Sequence, residues 1–272
     1  MTSTFKRPIQ TDPPLSPRQT LPTMYDLPSE NPEDPGLPDE FHIWQPQMLL
    51  LTFKPPNWDA NRVFSATDLY LYYDPIQLRW YKRPDWFGVV GVPRLYEERD
   101  LRLSYVCWQE EANPFVALEL LSPGTENEDL GRTSRRSKAP PTKWQVYEQI
   151  LRIPYYFVFS RYTSELQAFH LVGGHYEPVS LTNGRLAIPE LELSFGLWQG
   201  SYQGLDRLWV RWMTLEGALI PLPEEMAAAA EERANSAEER ANSAEERASL
   251  AEQRAEQLAA QLRELGIDPA NL

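Results

Sequence analysis

One residue constrains the fold of this chain more than any other. Glu119 stands inside the apolar run Phe-Val-Ala-Leu-Glu-Leu-Leu-Ser-Pro that begins at Phe115. Strand alternation puts Phe115, Ala117, Glu119 and Leu121 on one face and Val116, Leu118 and Leu120 on the other. Both faces are apolar, so the segment reads as a buried central strand. An unpaired carboxylate there costs on the order of several kcal/mol, so it must hold a proton, a cation or a metal ion.

Two other residues are candidate company. Pro84-Asp85 opens the apolar run "PDWFGVVGVP", and Lys143 heads the amphipathic stretch "KWQVYEQILRIP" behind a helix-capping Thr142. Lys143, Val146, Tyr147 and Ile150 fall at i, i+3, i+4 and i+7, the stripe that a helix turns toward a sheet. Gln145, Gln149 and Arg152 fall on the opposite face. The alternative for Lys143 is a snorkelling residue at the edge of an apolar stripe. Two carboxylates and an ammonium near strand ends can hold a divalent metal and activate a water.

The segments "PDWFGVVGVP", "ELLSPGTENEDLG", "KWQVYEQILRIPYYFVFS" and "LQAFHLVGGHYEPV" together resemble the Uma-type restriction endonucleases, a family in the PD-(D/E)XK nuclease superfamily. The resemblance runs from about Leu37 to Gly200, and its most specific part is Glu-Leu-Leu-Ser-Pro followed at a distance by Lys and Tyr. It implies a mixed α/β fold with a restriction-endonuclease-like PD-(D/E)XK core. It makes Asp85 the first metal-binding carboxylate, Glu119 the acid of the (D/E)XK element and Lys143 the ammonium. The position two residues after the acid, where the superfamily usually has its lysine, is Leu121 here, so the resemblance requires a lysine relocated to the following helix. The implied cofactor is Mg2+ or Mn2+ and the implied substrate is nucleic acid, most simply DNA. A metal held by Asp85 and Glu119 would polarise the scissile phosphate, while Lys143 orients or helps deprotonate the attacking water, or stabilises charge on the phosphate.

A second departure is the long segment "RTSRRSKAPPT" between Asp129 and Lys143. Its Arg132, Arg135, Arg136 and Lys138 either meet a phosphate backbone or belong to a solvated insertion.

Three zones follow along the chain. Residues 1–36 are proline-rich and polar and read as an extended or disordered arm. Residues 37–223 read as the nuclease-like domain. In it we expect a helix in "LPDEFHIWQPQMLLLTF", interrupted by Pro46, and paired strands "DLYLYYD" and "PDWFGVVGV". "YYFVFS", "LQAFHLV" and "HYEPV" are further strands, the last two joined by a Gly173-Gly174 turn. Residues 224–272 carry the heptad repeat "AEERANS", which predicts a long helix or coiled coil. One core position takes alanines 234, 241, 248 and 255 with Leu262; the other takes alanines 230, 237, 244 and 251 with Leu258 and Leu265. Self-association or a partner helix through 230–265 is one reading, and a single solvated helix is the other.

A net charge of −13 argues against unaided, nonspecific nucleic-acid binding. The acidity is concentrated outside the central zone: residues 224–272 hold twelve acids against five arginines. One cysteine, Cys107, excludes an internal disulfide framework and fits a reducing compartment. The N-terminus has no apolar signal region and no run reaches the length of a membrane span, so a cytoplasmic protein is expected. His42, His170 and His175 lack metal-ligand spacing, and Ser122 lacks a nucleophile elbow. Glu126 and Asp129 read as turn residues, with assistance to the metal or substrate as the alternative, and Trp80, Tyr81 and Trp86 as core or rim, with base stacking as the alternative. Against the nuclease stands a protein of another class, a catalytically silent nuclease fold acting through its coiled coil.

Overall fold

A computed structural model of the chain describes residues 11–15, 39–122, 124–135 and 139–264. Most of the proline-rich arm, together with Arg136, Lys138 and Leu265, lies outside the described residues. The chain divides into two compact units, Met1–Ile220 and Pro221–Leu272.

In the larger unit, helix α1 (Phe41–Thr52) is followed by β1 (Val63–Ala66), β2 (Leu71–Tyr72), β3 (Tyr81–Lys82), β4 (Trp86–Val90) and β5 (Tyr105–Val106). A single turn, α2 (Cys107–Glu110), leads to β6 (Val116–Leu120) and a second single turn, α3 (Glu126–Asp129). Then come α4 (Lys143–Gln145), which runs into a π turn at Val146–Ile150, and β7 (Tyr155–Ser160), β8 (Glu165–Val172) and β9 (His175–Val179). Strands β10 (Arg185–Ile188), β11 (Leu193–Tyr202) and β12 (Leu205–Thr214) complete the unit. A six-stranded sheet has the order β1-β4-β6-β7-β8-β9, and two three-stranded sheets have the orders β10-β11-β12 and β3-β2-β5. The molecule is a mixed α/β protein with several sheets and a long C-terminal helix.

The apolar run around Glu119 is the central strand expected of it. β6 lies between β4 (antiparallel) and β7 (parallel), and every residue from Val116 to Leu120 is buried. One face of this sheet packs aromatic on aromatic. Trp86 meets Phe53 and Trp212, Phe157 meets Phe195, and Phe159 meets Phe41 at ring separations of 4.5–6.0 Å. Each such side chain contributes roughly 1.5–3 kcal/mol by burial. Gly88 makes this packing fit, because a Cβ there would come within 2.7 Å of the Trp86 ring and 2.8 Å of Phe53.

Pro46 does not stop α1, although its ring removes one intrahelical N–H. The carboxylate of Asp39 accepts the Phe41 and His42 N–H groups at the start of the helix. Farther along, Gln45 clamps the helix to β12, donating to the Val210 carbonyl at 2.8 Å and accepting its N–H at 2.9 Å. Its side-chain amide thus serves as a strand neighbour for the open edge of β12.

Two expectations are corrected. "DLYLYYD" does not pair with "PDWFGVVGV": β2 pairs with β3 and β5, while β4 pairs with β1, a strand not anticipated. Pro84-Asp85 separates β3 from β4, so the two continue in different sheets. Ile150 does not face the sheet; it is exposed and Leu151 is buried in its place. The cause is the π turn, in which Leu151 N–H bonds the Val146 carbonyl five residues back at 2.8 Å. The wider turn keeps Lys143, Val146 and Tyr147 in phase and rotates the next residue outward.

Among the described residues the smaller unit has one helix, α5 (Pro223–Glu264), with no buried residue in it. Among the described residues, no helix is long and apolar enough to cross a membrane.

Candidate active site

The register sets the two carboxylates beside each other. Trp86 pairs with Leu118, so the next position along places Asp85 opposite Glu119 on the same face of the sheet. Asp85 lies just before β4, and its Oδ2 accepts the Leu120 N–H at 2.6 Å. Like charges across a strand pair repel, which makes this an unfavourable arrangement unless a cation or proton intervenes.

The cation is Lys143. Its Nζ donates to Glu119 Oε2 at 3.0 Å and to Asp129 Oδ1 at 2.8 Å. The capping box of Thr142 and Gln145 fixes the start of α4, and the Lys143 backbone N–H bonds Glu128 Oε1 at 3.0 Å. Glu128 in turn pairs with Lys82 of β3 at 3.0 Å. The other oxygen of Glu119, Oε1, accepts the Tyr147 hydroxyl at 2.7 Å.

Asp129 is delivered by α3, where its Oδ2 accepts the Thr125 hydroxyl at 2.7 Å and its carbonyl accepts the Tyr156 hydroxyl at 2.8 Å. Glu119 and Asp129 are almost fully buried, whereas the Lys143 side chain keeps 18% of its surface exposed. Asp85 is half-buried, so the cluster has partial exposure at Asp85 and Lys143 and none at Glu119.

Charge is unbalanced within it. Burial raises the proton affinity of Glu119 well above that of an ordinary glutamate; Lys143 opposes this, and Asp129 and Asp85 add to it. Burial likewise raises Asp85, against the pull of Lys143, His42 and the Leu120 N–H. For Lys143 burial acts to lower proton affinity, but Asp129, Glu119 and Asp85 outweigh it and hold the ammonium well above its usual range. Tyr147 and Tyr156 are raised well above ordinary tyrosines, first by burial and then by the neighbouring acids, so both remain donors.

Both Glu119 oxygens and Asp85 Oδ2 already accept hydrogen bonds, so a divalent ion here would exchange for some of them. Mg2+ is typically bound through one or two carboxylates, with water and substrate phosphate supplying other ligands, and Asp85 with Glu119 provides that number. Among the described residues there is no group of three His, Cys, Asp or Glu side chains arranged to hold a metal. An incomplete oxygen set with surplus negative charge is thus what the residues offer.

Asp129 and Tyr147 were not singled out from sequence as site residues. Asp129 reads from sequence first as turn chemistry and second as an aid to metal or substrate, and Tyr147 as the i+4 neighbour of Lys143 and as part of the Lys and Tyr pattern of the resemblance. His42 also lies close. Its Nδ1 pairs with Asp39 at 3.0 Å, its Nε2 contacts the Leu120 carbonyl at 3.2 Å, and Arg161 closes on Asp39 at 2.7 Å. In the arginine-rich segment, Arg132 pairs with Glu126 at 3.4 Å, while Arg135 bonds the Ala139 carbonyl and lies 5.7 Å from the Trp80 ring centre.

Residues 23–206 match the family model of Uma2, described as "Putative restriction endonuclease". The match covers most of the chain, which therefore belongs to the Uma2 family and has its restriction-endonuclease-like fold. A comparison with curated proteins gives no match.

Proposed function

We propose that this Uma2-family chain is a divalent-metal-dependent endonuclease that hydrolyses phosphodiester bonds in nucleic acid, with DNA as its substrate. The observation that carries the reading is the convergence of Asp85, Glu119 and Lys143, from three separate segments, on one partly open cluster. Restriction-endonuclease-like families generally work with divalent metals. Asp85 and Glu119 would hold the ion, Mg2+ or Mn2+, and its chemistry is Lewis-acid stabilisation of charge on the phosphate.

The chain's own groups have distinct roles in this reading. Glu119 is fixed by Tyr147, so one of its oxygens is held by a neutral donor while the other faces the lysine. Asp129 keeps Lys143 charged and directs Nζ to the cluster. Such a lysine holds its proton too tightly to act as a general base; it serves as a fixed positive charge for the phosphate and a donor that orients water. The buried wall of Tyr147, Val146 and Tyr156 excludes bulk water behind the carboxylates. A reducing, cytoplasmic setting suits the lone free thiol of Cys107.

The test is cleavage of supercoiled and single-stranded DNA with Mg2+, Mn2+ or a chelator. Metal-dependent cutting should fall at least about a hundredfold in Asp85→Asn, Glu119→Gln and Lys143→Met. Equal cutting by all four proteins, or none by wild type, would count against the reading.

Helix α5 carries a separate proposal, self-association in a coiled coil through residues 230–265. Its seam residue Leu258 is more than half exposed, and its alanine seam permits close approach of a second helix. Sedimentation of wild type against Leu258→Lys tests this, a monomer at all concentrations being the contrary result. A self-associating protein with no cleavage would favour the catalytically silent assembly role.

A further inference from the structure

The small β3-β2-β5 sheet has two unlike faces. Leu71, Lys82 and Tyr105 are register partners on the inner face, where Leu71 and Tyr105 are buried and Lys82 reaches Glu128 beside Lys143. On the outer face Tyr72 pairs with Tyr81, flanked by Tyr70 and Trp108. Tyr70 and Tyr81 have ring centres 4.4 Å apart, Tyr72 and Tyr81 5.7 Å, and Tyr72 and Trp108 6.5 Å. Tyr70, Tyr81 and Trp108 are each 39–41% exposed. A contiguous aromatic surface is unfavourable in water and marks an interaction site.

Charge around this face favours an anionic partner. Arg79 is exposed and, among the described residues, neither Arg79 nor Arg135 has a carboxylate partner within ion-pair distance. Arg135 lies over Trp80, which immediately precedes Tyr81, and Arg83 lies over Tyr70. Of the nearby acids, Asp68 is bound by Arg83, while Asp74, which accepts the Ile76 and Gln77 N–H groups of its own turn, and the exposed Glu111 keep their charge. β3 is an edge strand, and its consecutive residues Tyr81 and Lys82 point to the aromatic face and toward the acidic cluster respectively. The aromatic face and the candidate active site are thus joined around one strand edge.

We propose that this face binds single-stranded nucleic acid, its bases stacking on Tyr81, Tyr72 and Tyr70 and its phosphates meeting Arg79 and Arg135 where the strand rounds β3 toward the cluster. The identity of the strand as substrate rests on the nuclease reading; the binding does not. Exposed rings offer π faces that unpaired bases can stack on and that a closed duplex cannot reach, which is why the surface selects single strands.

The experiment is fluorescence anisotropy with a labelled oligothymidylate and a duplex of equal length, in chelator so that no cleavage occurs. Tyr81→Ala and Tyr70→Ala should each lose about tenfold in single-strand affinity. Tyr81→Phe should retain it, and Tyr162→Ala, an exposed tyrosine outside this face, should be unchanged. Thermal melts of each variant report folding. Unchanged affinity in folded Tyr81→Ala and Tyr70→Ala, or tighter binding of duplex than of single strand by wild type, overturns the proposal. Self-association lost in Tyr81→Ala with DNA binding intact also overturns it, assigning the face to a protein contact. Stacking loss in a protein that never cleaves supports this surface and sinks only the nuclease reading; metal-dependent cleavage with normal binding by the tyrosine variants does the reverse.

Discussion

The two faces of β6 begin one residue apart and serve opposite ends. Leu118 and Leu120 lie on the face where Trp86, Phe157 and Phe159 pack against other rings, whereas Glu119 faces Lys143, Tyr147 and, through the lysine, Asp129. The first face stabilises by burial alone and depends little on pH. The second gathers three carboxylates around one ammonium and opposes folding unless protons or cations balance it. A fold that keeps such a cluster has a stable half to hold it in place, and the contrast between the halves is open to experiment.

The largest expected effect is on the aromatic face. Phe157→Ala should cost about 3–5 kcal/mol in urea unfolding, with the same loss at neutral and mildly acidic pH. A pH-dependent loss would break the contrast.

Lys143→Met should cost about 3 kcal/mol at neutral pH, because it leaves buried carboxylates without their cation. That loss should shrink as pH falls. An acid whose proton affinity is raised by folding weakens the fold as pH rises above its unfolded value, 4.5 for Glu119, since the unfolded chain gives up its proton first. Acid restores the proton in both states and removes the penalty. Urea curves for this variant at the two pH values would show it, and parallel losses would refute the charge account.

Tyr147→Phe removes one donor from a buried carboxylate and should cost about 1–3 kcal/mol at neutral pH. It should also raise the proton affinity of Glu119 further, since the tyrosine's hydrogen bond lowers it. The smallest change in stability, about 1 kcal/mol or less, is expected for Glu119→Gln, whose amide can accept from Lys143 and donate to Tyr147. Relative to this variant, wild type should lose stability as pH rises above 4.5. A flat difference across that range would remove Glu119 from the account.

The sequence made some of this visible. The apolar context of Glu119 announced a central strand and a carboxylate needing company, and the phase of Lys143 with Val146 and Tyr147 put the lysine on the correct side. Beyond Tyr147 the periodic argument failed at Ile150, because a π turn changes the phase without an apparent signal in residue type. Asp129 reads from sequence first as turn chemistry because its role depends on folding back onto Lys143, fourteen positions away. β1 and the β10–β12 sheet were missed for a related reason: their pairing is set by partners distant in sequence, which local pattern does not encode. The heptads of α5 were legible because repetition is local, and the helix spans Pro223–Glu264.

The most direct measurement is the melting temperature at neutral pH with and without Mg2+, for wild type and for the double variant Asp85→Asn with Glu119→Gln. Surplus negative charge in the cluster predicts that Mg2+ raises the wild-type Tm, by an amount equivalent to about 2.7 kcal/mol at a hundred times the Kd, and leaves the double variant unmoved. A wild-type Tm indifferent to both Mg2+ and Mn2+, or an equal rise in the variant, would contradict the assignment of a metal-holding site to these two carboxylates.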